Sequence, residues 1–178
     1  MLSQAPQLQV WNGQSYDKFY YINDAGDNMD ETGWADMSGY VSSAVYAPGT
    51  GFWYKAPSAA SSFTMPGEVV SADSVTKEIP ADSFCLMGSP YPISLSFNKM
   101  VTMLTPGGYD TMLSQAPQVQ IWNGDGYDKY YYINDAGDNM DEIGWADMSG
   151  YIKEGDVCNA VNGMWIKAPA AGTITFEK

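Results

Sequence analysis

The residue set with the most evident chemistry is a run of carboxylates. The loop NDAGDNMDE (23–31) gathers Asp24, Asp27, Asp30 and Glu31 within eight residues, and it recurs at 134–142 with Asp135, Asp138, Asp141 and Glu142. Carboxylates this crowded repel one another unless water or a hard cation separates them, and calcium is the cation such oxygen donors would take. The spacing departs from the EF-hand rule, which wants Asp or Asn at the first, third and fifth loop positions, then Gly at the sixth and Glu at the twelfth. A solvated acidic loop is therefore the competing reading, and no cofactor is required.

Aromatic residues form the second set. Trp11, Tyr16, Tyr20 and Trp34 have counterparts Trp122, Tyr127, Tyr131 and Trp145. A flat exposed Trp or Tyr beside Asp and Asn acceptors suits stacking on sugar rings. The same aromatic, β-branched sequence also builds sheet cores, and neighbours such as Tyr20 and Tyr21 must point to opposite faces of a strand.

What the chain lacks removes most reaction classes. Its eight basic residues are all Lys, against 21 Asp plus Glu, and the formal net charge is −13. Without His there is no Ser-His-Asp, Cys-His or His-rich zinc constellation, and without Arg and with this charge nucleic acid and anionic membranes are repelled. Glycoside hydrolysis by paired carboxylates needs no His and is the sharpest enzyme reading left. The acidic residues, however, cluster in one duplicated loop instead of spreading around a cleft, which favours a non-catalytic protein. Cys85 and Cys158 are too few for a disulfide framework; one bridge and two separately buried thiols both fit. No stretch has the length of apolar sequence that a membrane-spanning helix needs.

These residues must be positioned by a duplicated architecture. Residues 1–40 match 112–151 without a gap and differ at six of 40 positions (8, 10, 14, 15, 19 and 32), leaving 34 identities. GFWYKAPSAASSFTM (51–65) then aligns with GMWIKAPAAGTITFE (163–177). The chain thus reads as block B (1–66), a single segment A (67–111) and a second block B (112–178), with 67–178 forming one full repeat unit. This B-A-B order predicts an A-plus-B repeat drawn from a longer polypeptide, in which a strand edge left without its A segment could pair with a neighbouring chain.

Within block B, QLQVWNG (7–13) and YDKFYYI (16–22) read as two strands joined at Asn12-Gly13, a pair that tolerates positive φ, and the hairpin recurs over 118–133. A second hairpin is predicted with strands near 51–55 and 62–65, repeated over 164–176. Segment A offers strands near 68–71, 75–79 and 83–88, then a short helix or loop through 93–104. Many short strands separated by Gly, Pro and Asn favour an all-β, antiparallel, β-sandwich-like fold with internal duplication.

FCLMGSPYPISLS (84–96) resembles the N-L-I/M-G-N-P-Y-P strand and turn of repeated β-modules in large secreted bacterial cell-surface proteins, with Ser89 where that pattern has Asn. GFWYKAP and GMWIKAP resemble the G-F-W-I/V-K strand of the same modules, and IWNGDGYDKYYY with Gly144-Trp145 resembles the stretch between them. The resemblance implies an extracellular or cell-surface location and repeated β-modules, and it implies no reaction. The expectation is an exported structural or adhesive module whose partners are other surface-protein modules or glycans. A carbohydrate-binding module using exposed Trp and Tyr is the alternative, and a glycoside-active enzyme the second.

Overall fold

The computed structural model describes residues 5–23, 32–57, 68–108, 113–134, 142–159 and 162–178. The first B block contributes β1 (Gln7–Trp11), β2 (Tyr16–Asn23), β3 (Thr32–Ala35) and β4 (Phe52–Lys55). Segment A contributes β5 (Ser74–Ile79), β6 (Phe84–Gly88), β7 (Leu95–Ser96) and β8 (Met100–Met103), with a single 3-10 turn at Phe97–Lys99 between the last two. The second B block contributes β9 (Gln118–Trp122), β10 (Tyr127–Asn134), β11 (Ile143–Ala146), β12 (Asp156–Cys158), β13 (Gly163–Lys167) and β14 (Gly172–Glu177). The fold is all-β and sandwich-like, with antiparallel ladders. Among the described residues no helix is long and apolar enough to cross a membrane.

The two B blocks build the same sheet. The first has strand order β3-β2-β1-β4 and the second β11-β10-β9-β13, with β6 added at its edge. Register is preserved: Leu8 faces Phe19 and Trp11 faces Tyr16, as Val119 faces Tyr130 and Trp122 faces Tyr127. Alternation fixes this register, because Leu8 and Val10, like Val119 and Ile121, are buried and alternate with half-buried Gln7 and Gln9 or Gln118 and Gln120, and a slip of one residue would turn them outward. The hairpin loop is wider than a two-residue Asn-Gly turn. Gly13 and Gly124 do adopt positive φ (101° and 109°). The loop itself spans four residues, closed by the Asn12 side-chain oxygen, which accepts from the Gln14 and Ser15 amides at 3.1 and 2.8 Å, and Asn123 repeats the pattern.

The main core lies between the five-stranded sheet and a three-stranded sheet of order β5-β14-β8. Val119, Ile121, Met164 and Ile166 from one layer meet Ile79, Met100, Ile174 and Phe176 from the other. Trp145 is stacked on Phe97 at 5.5 Å and its indole N–H donates to the Thr102 hydroxyl at 3.0 Å, so segment A covers and hydrogen-bonds the second block's sheet. In the first block Trp34 instead packs edge to face with Tyr21 (5.4 Å) and Tyr54 (6.4 Å), around Leu8, Val10 and Phe19.

Three expectations change. The stretch 164–176 is not a hairpin: β13 pairs with β9 and β6, whereas β14 pairs with β5 and β8 in the other layer. The chain crosses the core at Ala168–Ala171, and both strands find partners far away in sequence. The matching stretch 62–65 lies outside the described residues. Residues 68–71 form no strand, and the helix-or-loop region 93–104 holds β7, a 3-10 turn and β8. Cys85 carries a free thiol, so of the two alternatives for the cysteines the bridge is not the one formed.

Candidate aromatic cleft between the copies

Where the two copies meet, a cleft of about 670 Å³ opens, within the range of small-ligand sites. One wall is β4 with the Thr50-Gly51 approach to it. The other combines β6 and the Gly88–Pro92 turn with Trp122, Tyr127 and Trp165. The walls are joined by backbone: Gly88 donates its amide to the Gly49 carbonyl at 3.0 Å, and Thr50 bridges Met87 in antiparallel sense. Gly51 is needed for this approach, because a Cβ there would stand 2.5 Å from Leu86 Cγ and 2.7 Å from the Leu86 backbone carbon.

The duplicated Trp–Tyr pair has two different fates. Trp11 and Tyr16 lie at 5.2 Å and 65° to each other, and Trp122 and Tyr127 at 5.1 Å and 65°. The hairpin dictates this local geometry, since both pairs sit directly opposite at the turn end of their ladder. Trp11 and Tyr16 then pack edge to face on Trp165 at 5.7 and 6.5 Å, and Trp53 donates its indole N–H to the Tyr16 hydroxyl at 3.1 Å. Burial in this cluster pushes the Tyr16 phenol above its ordinary pKa, partly countered by the Trp53 hydrogen bond. The buried Trp11 indole N–H has no hydrogen-bond partner among the described residues. Trp122 and Tyr127 instead stay 39% and 38% exposed on the cleft wall.

The other residues singled out from sequence are placed as follows. Trp145 is buried under Phe97, Tyr131 is buried and Tyr20 half-buried on the opposite face from Tyr21, and Trp34 is half-buried in the first block's sheet. The acidic residues Asp24, Asp27, Asp30, Glu31, Asp135, Asp138 and Asp141 lie outside the described residues, and Glu142 is exposed beside them. Among the described residues no three carboxylates or thiols converge on a metal position. Sequence reasoning missed Trp53, Tyr91 and Trp165 as cleft residues. The GFWYK and GMWIK strands marked two of them as repeated, but only tertiary packing assigns them to a shared wall.

The electrostatics of the cleft are sparse. Among its described lining residues Glu68 is the one carboxylate and there is no lysine. On the back of β6, burial pushes the Cys85 thiol up and the Lys77 ammonium down, with each moderating the other. Cys85 is therefore protonated near neutral pH and unlike an activated nucleophile.

No family model matches this chain, and no curated protein and no solved structure gives a significant match.

Proposed function

We propose that this chain is a non-catalytic adhesive module of an exported surface protein, and that it takes its ligand in the aromatic cleft between its two B copies. The observation that carries this reading is the Trp122–Tyr127 pair, held at the same mutual angle as Trp11–Tyr16 yet left in water on a concave wall. Large exposed aromatics converging in a cleft are the usual anchors of recognition, since they supply contact area at low entropic cost. A paired-carboxylate reaction would need a second acid roughly 5–10 Å from the first, and Glu68 stands alone among the described lining residues. The surface location rests on the resemblance of the SPYP and GFWYK motifs and on the acidic, Arg-free composition.

A structural role accompanies adhesion. The Thr50–Met87 bridge and the Gly88–Gly49 hydrogen bond link the first copy to the following unit at the backbone level. Beads coated with the chain are expected to adhere to cell-wall or matrix surfaces, and beads carrying Trp122→Ala to adhere far less. Equal retention of the variant would remove the cleft from the account.

A further inference from the structure

We infer that the ligand class of this cleft is an uncharged oligosaccharide. The inference rests on the cleft being the adhesive site and names what fills it.

Three observations select this class. First, the reachable walls are rings: Trp122 and Tyr127 stand 65° apart and are 39% and 38% exposed, so they present planes of different orientation to a bound chain, and each ring carries one polar group. Alternating C–H faces and hydroxyl edges are the surface of a sugar. Second, charge is sparse: one carboxylate stands among the described lining residues, and a cation, Lys178 Nζ, lies 5.9 Å from the ring centroid of the lining residue Tyr91. Glu68 can accept hydrogen bonds from hydroxyls, no lysine is among the described lining residues, and the net charge of −13 repels uronates, sulfated glycans and phosphates. Third, the Gly88 end of the β6 edge is already engaged: the Gly88 amide is given to the Gly49 carbonyl and Thr50 bridges Met87. Recognition by β-augmentation needs a run of free backbone groups, and this pairing shortens the run that an extended peptide could use, which leaves the larger part of recognition to the rings.

The test is a fluorescence and calorimetric titration of the full chain with short neutral oligosaccharides, with uronate oligosaccharides of matched length, and with a proline-rich peptide as a second ligand of aromatic grooves. The expected result is saturable binding of at least one neutral series, weakened about tenfold or more by Trp122→Ala or Tyr127→Ala and unaffected by Tyr151→Ala, whose ring is exposed away from the cleft. Trp122→Phe, which keeps a ring, should recover part of the affinity. Uronates should bind more weakly at low salt, with the gap closing as salt screens the repulsion. Tighter binding of the uronates or of the proline-rich peptide would overturn the inference. So would absence of neutral-glycan binding; in that case adhesion still dependent on Trp122 would leave the adhesive cleft standing, and adhesion indifferent to Trp122 would remove both.

Discussion

Trp11 and Trp165 meet edge to face across the boundary between the two copies, 5.7 Å between ring centroids and 72° between planes. Trp165 occupies the position in the second copy that Trp53 holds in the first, so a residue from one repeat caps the hairpin of the other. The duplication is thereby made asymmetric: one Trp–Tyr pair becomes interface and the other remains a cleft wall.

That junction is expected to be sterically strict. Gly51→Ala would drive a methyl group into Leu86, backbone included, and overpacking of this kind costs about 1–3 kcal/mol. Thermal unfolding measures it; a change within about 0.5 kcal/mol would mean that the copies separate freely.

The two equivalent tryptophans Trp34 and Trp145 should respond differently to replacement. Trp145 is 2% exposed, stacked on Phe97 and hydrogen-bonded to Thr102, whereas Trp34 is half-buried. Trp145→Phe is expected to cost more than Trp34→Phe. Thr102→Val, which leaves the buried indole N–H without its acceptor, should cost about 1–3 kcal/mol. Equal effects at the two tryptophans would contradict the placement of the main core over the second block.

Much of this was legible in the sequence because it is local. Gln7–Trp11 and Gln118–Trp122 alternate apolar and polar residues, so strand, register and buried face follow from the pattern alone. The separation of β13 from β14 was not legible, since GMWIK and TITF are equally good strands and only the distant β6, β5 and β8 decide which layer each joins. The cleft was half legible. Trp122 and Tyr127 stand in the same local sequence as Trp11 and Tyr16 apart from the turn residues and the conservative changes Leu8 to Val119, Val10 to Ile121 and Phe19 to Tyr130, so nothing nearby could tell which pair would be covered.

Alkaline pH should destabilise the fold. Burial raises the phenols of Tyr16, Tyr130 and Tyr132 above their ordinary values. The unfolded chain then releases these protons first, so their stabilising contribution is full below about pH 10 and is lost as pH rises through the folded values. Denaturant midpoints should fall between about pH 9 and pH 11, and Tyr132→Phe should flatten the fall. A midpoint rising over that range would show that these phenols ionise more readily in the folded state.

The turn after β11 predicts an opposite limb in acid. Lys153 holds the Asp147 carboxylate below its ordinary pKa at 3.1 Å, helped by the amides of Ser149 and Tyr151. This contribution is present above about pH 4 and is lost as pH falls through the depressed value. Because the ion pair is partly solvated, Lys153→Ala should cost under about 1 kcal/mol, with Asp147→Ala costing more because two amides lose their acceptor. Equal losses would place the stabilisation in the ion pair instead of the turn.

The most direct test compares Trp11→Ala with Trp122→Ala, two identical substitutions at equivalent positions of the repeat, for both unfolding midpoint and retention on a ligand surface. Trp11→Ala should lower the midpoint because it empties the contact with Trp165, and Trp122→Ala should leave the midpoint nearly unchanged while abolishing retention. If Trp122→Ala keeps full retention, or if the two variants behave alike in both measurements, the cleft between the copies is not the binding site.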